Sequence, residues 1–381
     1  MFCPVWEQAG EWSMKKNRCV LFCGLTLLTA ALLAGMLLVP SGKTKTQIGA
    51  RLDVAGKYMM RVNNQISDAL EGIASVKKSY WISEDAVAAP KPDPKRYGKT
   101  DNPKSLQWLL DEAEEVLEGQ KLLFTTDVEL LEGSEVTYYL DETILAITWK
   151  QAVQNMAFTY SEVKIMDPSQ FRRFLAGGEF GSGKLLLTTE MAETVNAVVA
   201  CSGDFYSYRP DGTMISGGVA RRANYAIPDL CFVDKKGDLI LTRYDYLPTL
   251  EAAQKFADEN EIVFSLAFGP ILVKDGKRCE MLTYPVGEVD ENYTRAAICQ
   301  MDSLHYLFVA CNREGACYYA PSINVFAQCV AETGCKQAYN LDGGQTATVV
   351  MNNELINHVN YGSQRKISDI IYFATAKPIG E

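Results

Sequence analysis

The hydrophobic pattern divides the chain into an apolar run near its start, a heptad-patterned stretch, and a long region of short alternating segments. Residues 19–39 form a run of 21 residues without a charged side chain, directly after the basic sequence Lys-Lys-Asn-Arg. A helix of this length spans the apolar part of a bilayer, at about 1.5 Å per residue. We therefore expect a transmembrane signal anchor at 19–39 and a cytoplasmic N-terminus at 1–18, with Met14 as an alternative start.

Residues 48–80 repeat apolar side chains at alternating spacings of four and three, which predicts a helix with a heptad seam. Two interpretations remain open for this helix. It is either a coiled-coil stalk that joins copies into a homo-oligomer, or a single amphipathic helix that folds back on the main domain. Gly56 and Gly72 lie inside the helix and weaken the stalk interpretation. Pro-rich residues 89–94 then end any helix, so 40–100 are expected to be a helical stalk and an extended linker.

Residues 101–381 show short apolar segments separated by turns, and this pattern predicts one domain. Turn sequences such as Lys-Gly-Asp and Asp-Gly lie between the apolar segments, as expected for hairpins. The predicted fold class is therefore α+β, a mostly antiparallel twisted sheet with a few packed helices, preceded by the transmembrane helix and the stalk. Helices are predicted over 105–117, 169–176, 251–260 and 322–332, and strands over 136–149 and 338–341.

Charge and composition exclude several classes of function. The formal net charge of −10 argues against a nucleic-acid partner, which needs a basic face. The two histidines, His305 and His358, are expected to be structural or surface residues, so a catalytic Ser-His-Asp or Cys-His arrangement is poorly supported. The eight cysteines of the main domain match no zinc spacing. They are either paired or free and buried, and Cys311 with Cys317 is the best candidate pair.

No cofactor is predicted. Residues 178–184 fit a phosphate-binding loop through Lys184, but Leu185 follows where a Ser or Thr hydroxyl should hold magnesium. The loop also follows a predicted helix and enters a strand, which is the reverse of the order that such a loop needs. We therefore expect neither a nucleotide nor a metal site.

The best candidate for chemistry is the stretch from Tyr339 to Thr346, which reads Tyr-Asn-Leu-Asp-Gly-Gly-Gln-Thr. Ser322 is a good N-cap for the helix before it, and Gly334 ends that helix. A buried strand then presents Asp342 at its end, where two glycines allow a ligand to approach the backbone. Taken alone, such a turn could simply reverse the chain.

Three other stretches are interpreted together with this one. They are Ala-Cys-Ser-Gly-Asp-Phe at 200–205, Phe-Gly-Pro-Ile-Leu-Val at 268–273, and Arg-Ala-Ala-Ile at 295–298. In this order, the four stretches resemble the phosphodiester glycosidase family. The resemblance covers residues 138–373 and includes Asp-Pro-Ser-Gln at 167–170. It implies a hydrolase that cleaves the glycosidic bond between an N-acetylglucosamine-like sugar and a phosphodiester in cell-surface or exopolysaccharide glycans. It also favours an extracytoplasmic position for the domain, so we expect a single-pass membrane protein.

The chemistry of that reaction, read onto these stretches, gives the candidate site. Carboxylates would stabilise positive charge at C1 and activate water, and a guanidinium group would clamp the phosphate through two N–H groups. The candidate catalytic residues are Asp342, Asp204 and Arg295. The candidate substrate-binding residues are Asn340, Gly343, Gly344, Gln345, Thr346, Ser202 and Gly203.

The sequence departs from the family pattern at two polar positions. Ser202 stands where the family usually has Asn, and Ala296 stands where it usually has Thr. An alternative is therefore a non-catalytic glycan-binding or envelope-scaffold protein that uses the same groove. A metal-dependent phosphodiesterase is a third interpretation, but it would need a denser set of Asp and His ligands.

Overall fold

The computed structural model describes residues 80–208, 211–224, 229–243, 247–280 and 292–379, and the chain from Tyr80 onward forms one compact unit. The predicted anchor at 19–39 and nearly all of the predicted stalk lie outside the described residues. Within the described ranges, no helix combines the length and the apolar character needed to cross a membrane.

Antiparallel strands dominate the described part of the chain. They are β1 Tyr97–Thr100, β2 Val136–Asp141, β3 Ile144–Val153, β4 Met156–Ile165, β5 Phe171–Leu175, β6 Val199–Ser202, β7 Met214–Ser216, β8 Val219–Arg222, β9 Leu230–Asp234, β10 Leu239–Thr242, β11 Ile262–Leu266, β12 Ile271–Lys274, β13 Lys277–Arg278, β14 Arg295–Asp302, β15 His305–Asn312, β16 Gln337–Leu341, β17 Val349–Met351, β18 Glu354–Leu355 and β19 Asp369–Phe373. They form a nine-stranded sheet in the order β1-β2-β3-β4-β15-β14-β16-β12-β13, and two five-stranded sheets in the orders β10-β9-β11-β7-β8 and β18-β17-β6-β19-β5.

The helices of the described residues are short. They are α1 Gln107–Glu112, α2 Glu114–Leu117, α3 Thr188–Thr194, α4 Leu250–Glu259 and α5 Ile323–Ala331. The predicted N-cap of α5 is confirmed, because the Ser322 hydroxyl accepts a hydrogen bond from the Val325 N–H at 3.4 Å. The helix predicted over 105–117 is interrupted at Ala113 and gives α1 and α2. The sheet-rich α+β fold is thus confirmed for the described chain.

Both faces of the nine-stranded sheet are buried, and successive residues of β14 show this clearly. Ala297 and Cys299 pack in one apolar cluster with Phe326 of α5. Ala296 and Ile298 point to the other face and pack with residues of β6 and β19. A strand with two buried faces has polar chemistry available only at its ends. The ends of the central strands are therefore the places where a site can form.

The prediction of a helix over residues 169–176 is wrong. Asp167 does cap a turn, since its side chain accepts from the Ser169 N–H at 2.9 Å, but the turn is a single 3₁₀ turn, Pro168–Gln170. The next residues form β5 instead, because they pair with β19 from Phe171↔Phe373 to Leu175↔Asp369. Pairing with a distant strand here overrides a genuine local signal for a helix start.

Residues 80–100, expected to be linker, pack against the rest of the domain in the structure. Strand β1 pairs with β2 at the edge of the nine-stranded sheet. Ala89 is buried, and its N–H donates to the Val195 carbonyl at 3.1 Å. Residues 80–100 therefore belong to the same compact unit as the rest of the domain.

The cysteines and His305 have structural roles. All eight cysteines of the described residues are free thiols, so Cys311 and Cys317 are not paired. Burial raises the pKa of the Cys311 thiol well above its usual range. His305 is buried at the start of β15, with its Nε2 2.8 Å from Oε1 of Glu162.

Candidate functional site

The four stretches singled out in the sequence meet at the end of β16. On one side β16 pairs with β14 through Ala296↔Leu341, and on the other with β12 through Ile271↔Tyr339. The fourth stretch, residues 200–205, includes the end of β6, which belongs to a five-stranded sheet. There the Asp342 N–H donates to the Gly203 carbonyl at 3.4 Å. The site is thus built where β16 leaves the nine-stranded sheet and meets the end of β6.

Asp342 lies at this strand end, with 12% of its side chain exposed. Its Oδ2 accepts from an Nη of Arg365 at 2.9 Å, and its Oδ1 accepts from the Gly343 N–H at 3.0 Å. The Arg365 guanidinium also stacks on the Phe205 ring, 5.0 Å from the ring centroid, and 45% of its side chain is exposed. The carboxylate is thus fixed by a charged partner that itself reaches the solvent.

Arg295 begins the strand next to Asp342. The last paired residues are Ala296 and Leu341, so one step further the register places Arg295 and Asp342 at the same level on adjoining strands. The Arg295 guanidinium lies over the Tyr293 ring at 5.6 Å. The backbone register therefore places Arg295 and Asp342 at adjoining strand ends, and the structure adds Arg365 as a direct partner of Asp342.

The residues after Asp342 differ from the expectation. We expected Gly343 and Gly344 to offer their N–H groups to a ligand, but both donate within the protein, to Asp342 Oδ1 and to the Thr294 carbonyl at 2.9 Å. The Thr346 hydroxyl donates to the Gly343 carbonyl at 2.6 Å, and the Gln345 amide donates to the Ser363 carbonyl at 3.1 Å. These contacts shape the turn that presents Asp342.

Asn340 and Ser202 are also held inside the protein. The Asn340 side-chain amide donates to the Gly269 carbonyl at 2.9 Å, which joins the stretches at 268–273 and 339–346. Its Oδ1 is buried and has no hydrogen-bond partner among the described residues. The Ser202 hydroxyl is buried and donates to the Asp342 carbonyl at 3.4 Å. The hydrogen bonds of both side chains stabilise the end of β16 from inside the protein.

Asp204 lies apart from Asp342, in a buried cluster. Its Oδ1 is 2.6 Å from an Nη of Arg173, and its Oδ2 accepts from the Ala267 N–H at 2.8 Å. The same Arg173 contacts Asp369 Oδ2 at 2.9 Å, so two carboxylates share one guanidinium group. Asp204 is 1% exposed, and this environment favours a supporting role over direct contact with a substrate.

The cluster holds the turn that follows β6. Asp369 accepts from the N–H groups of Asp204 and Phe205, at 3.2 and 3.0 Å. A Cβ on Gly203 would lie 1.8 Å from Asp369 Oδ2, so only glycine fits at that position. Burial raises the pKa of Asp369 to about 6, although Arg173 opposes the shift. The turn positions Phe205 under Arg365 and therefore connects the cluster to Asp342.

Comparison with known proteins identifies the region that contains these features. Residues 195–374 match the phosphodiester glycosidase family, through its model named NAGPA. The resemblance seen in the sequence is thus confirmed over that range, which contains Asp204, Arg295, Asp342 and Arg365. A comparison with curated protein sequences found no match.

Two solved structures are similar to this chain. One is the zebrafish N-acetylglucosamine-1-phosphodiester alpha-N-acetylglucosaminidase catalytic domain, auto-inhibited by its pro-peptide. It is 18% identical, with a TM-score of 0.48, over 61% of this chain and 83% of that chain. The other is a hypothetical protein from Synechocystis, 14% identical, with a TM-score of 0.50, over 65% of this chain and 64% of that chain. The second similarity shows a common fold and nothing more.

Three residues that shape the site had little signal in the sequence. Arg365 lies in a polar stretch after β18 and has no periodic neighbours. Asp369 opens an otherwise apolar strand, and Arg173 lies inside a segment predicted as helix. A charged residue within an apolar strand pattern was the one signal that could have pointed to the buried cluster, because such a charge needs a partner.

A groove of about 380 Å³ lies elsewhere on the domain, and none of Asp342, Arg295 and Arg365 lines it. Its lining includes the acidic residues Asp127, Glu129 and Glu332 and contains no Lys or Arg. A phosphodiester carries a negative charge, so this groove is electrostatically unsuited to it. The end of β16, where Arg365 contacts Asp342 and Arg295 begins the neighbouring strand, is the better candidate.

Proposed function

We propose that the domain hydrolyses the bond between C1 of a sugar and the oxygen of a phosphodiester. The observation that carries the proposal is Asp342, held at the end of β16 by Arg365 within the region that matches the family, with Arg295 at the start of the neighbouring strand. A carboxylate with a guanidinium partner suits a substrate in which a sugar carbon becomes positive while a phosphate leaves.

The chemistry follows from the leaving group. A phosphate monoester leaves without protonation, so the reaction needs mainly stabilisation of positive charge at C1 and an activated water or nucleophile. Asp342 is the group that we propose for these tasks, without assigning it as base or nucleophile. Arg365 donates from one Nη to Asp342, and its side chain is 45% exposed, so the guanidinium would also be available to the phosphate. Arg295 would neutralise the phosphate from the neighbouring strand.

Asp204, proposed from the sequence as a second reacting carboxylate, is better placed to act through the turn at 203–205. Its pairing with Arg173 fixes the backbone that accepts from the Asp342 N–H. We propose that it positions Asp342 and does not touch the substrate. Ser202, which supports the Asp342 carbonyl, belongs to the same supporting set.

The substrate and the cellular setting are parts of the proposal. The substrate is a phosphodiester of an N-acetylglucosamine-like sugar in a cell-surface or exopolysaccharide glycan. The domain is held outside the membrane by residues 19–39, and residues 48–80 join copies into a homo-oligomer. The family match supports the substrate class, and the apolar run and the heptad pattern support the rest.

The decisive experiment compares wild type with Asp342→Asn on a methyl phosphodiester of N-acetylglucosamine, with and without a chelator. We expect wild type to release the sugar and Asp342→Asn to lose at least about 10²-fold in rate, since a reacting carboxylate contributes at least that much. The stability should change by about 1 kcal/mol or less, because the lost ion pair with Arg365 is partly exposed.

Asp275→Asn is the matched control, because Asp275 also precedes a glycine at a turn but lies outside the site. It should leave the rate unchanged. Equal hydrolysis by wild type and Asp342→Asn would show that the site is wrongly assigned. Complete loss of wild-type activity with chelator would favour the metal-dependent phosphodiesterase.

A non-catalytic glycan-binding protein is the second candidate. The observation that favours it is that the N–H groups of Gly343 and Gly344 are already used within the protein, while Ser202 and Ala296 replace larger polar residues of the family. In that case wild type would bind the sugar diester and release no product.

A further inference from the structure

Four tyrosines with exposed rings lie on loops near the candidate site. Tyr361 is 91% exposed, Tyr318 62%, Tyr319 51% and Tyr293 36%. The rings of Tyr318 and Tyr319 lie 4.6 Å apart between centroids. We call these four residues the tyrosine rim. Large rings normally contribute to stability by burial, so rings left in solvent side by side suggest a binding surface.

The loops of the tyrosine rim are joined to one another. The Tyr293 N–H donates to the Pro321 carbonyl at 3.3 Å, and Pro321 lies just after Tyr318 and Tyr319. The Thr294 hydroxyl donates to Asn360 Oδ1 at 2.5 Å, and Asn360 immediately precedes Tyr361. Three separate segments of the chain therefore form one surface.

This surface continues directly from the Asp342 site. The Thr294 carbonyl accepts from the Gly344 N–H at 2.9 Å, two residues after Asp342. On the other side of Thr294, the Arg295 guanidinium covers the Tyr293 ring at 5.6 Å. A ligand with its phosphate at Arg295 would therefore reach the tyrosine rim next.

The backbone of Tyr361 supports a role in binding. Its φ is 61°, in the left-handed region, and it lies in the turn Asn360–Gly362. A bulky residue is rare in that region and costs about 1–2 kcal/mol there. Among the described residues its side chain has no hydrogen bond or ring contact that would offset this cost. Strain of this kind at an exposed aromatic residue points to a function.

We propose that the tyrosine rim binds an oligosaccharide on the alcohol side of the phosphodiester. A tyrosine has an apolar face and a polar hydroxyl, which match the C–H face and the hydroxyl edge of a sugar ring. The substrate is then a sugar linked through phosphate to a glycan, of which several rings lie beyond the phosphate. This inference rests on the proposed function for its orientation, because Arg295 is taken as the phosphate site.

The test uses the full-length chain and two substrates that share N-acetylglucosamine-1-phosphate. One is the methyl diester, and the other is the diester of a β-1,4-linked N-acetylglucosamine tetrasaccharide. Stacking on the tyrosine rim should raise kcat/KM for the long substrate about tenfold over the short one. The double variant Tyr318→Ala, Tyr319→Ala should abolish the difference and leave the short substrate unaffected. Trp81→Ala is the control, because Trp81 is equally exposed and lies outside the rim.

Tyr361→Gly separates binding from structure. Glycine adopts the left-handed conformation without strain, so this variant should unfold at the same or a higher urea concentration than wild type while losing the preference for the long substrate. If wild type shows no such preference, or if both rim variants keep it, the proposal is refuted.

A binding measurement makes the result independent of hydrolysis. Calorimetry should detect the tetrasaccharide alone bound to Asp342→Asn, and the double rim variant of that protein should bind it about tenfold more weakly. Tyrosine-dependent binding without any hydrolysis by wild type would refute the proposed function and support the tyrosine rim. Hydrolysis without tyrosine-dependent binding would do the reverse.

Discussion

Gly343→Ala tests how closely the end of β16 packs against β14. Gly343 has φ −112° and ψ −160°, which alanine adopts without backbone strain. The added Cβ would lie 2.4 Å from the Thr294 carbonyl oxygen, whereas ordinary contact begins at 3.4 Å. The two strand ends must therefore separate by about 1 Å. Overpacking of this kind costs about 1–3 kcal/mol of stability.

The same displacement should reduce activity, because Thr294 adjoins Arg295. Misplacement of a binding group by about 1 Å can cost about 10²-fold in rate. We expect that loss in kcat/KM on the N-acetylglucosamine methyl diester, measured together with urea unfolding. Gly344→Ala is the control: its φ of +67° strains the backbone, but its Cβ would have no neighbour closer than 3.9 Å. It should lose about 1–2 kcal/mol and keep most of its activity.

If Gly343→Ala were as stable as wild type, the close packing against Thr294 would be wrong. If it were destabilised but as active as Gly344→Ala, the link from Thr294 through Arg295 to catalysis would be refuted.

Two further predictions concern the buried cluster and the membrane segment. Burial raises the pKa of Asp369 from its ordinary 3.8 to about 6, so the stability that depends on its protonated form is lost as pH rises through that window. The side chain at position 369 does not titrate in the variant Asp369→Asn. Between pH 4 and pH 7.5, the free energy of unfolding of Asp369→Asn in urea should therefore increase by up to about 3 kcal/mol relative to that of wild type. If the difference in unfolding free energy between the two proteins did not change with pH, the raised pKa would be contradicted. Residues 19–39 as an anchor predict that protease added to intact cells removes the domain, and full protection of the domain while other surface proteins are cut would indicate the opposite orientation.

The sequence was informative where local signals and the final structure agree. Ser322 caps α5, Gly334 follows its end, and the next apolar run is β16, so the position of Asp342 at a strand end followed from adjacent residues. The neighbours of that position were harder to predict. The β14 and β12 strands flank β16 by pairing over long distances, and no local pattern encodes which strands become neighbours.

The buried cluster shows why part of the site could not be predicted. The segment containing Arg173 follows a good helix start at Asp167, yet becomes β5 because β19 is available as a partner. Only this pairing brings Arg173 to Asp369 and Asp204. Arg365 has even less local signal, since its contacts to Asp342 and Phe205 depend on three loops that meet only in the folded domain.

The place of β19 in its sheet determines the order in which the domain can fold. It is the last strand of the described residues, yet it lies between β6 and β5. Those two strands can reach their final arrangement only after residues 369–373 have inserted between them. The domain therefore depends on pairing between residues far apart in sequence, and its folding should be slow. Loss of β19 would remove an inner strand of that sheet, and with it Asp369 and its hydrogen bonds to the turn at 203–205.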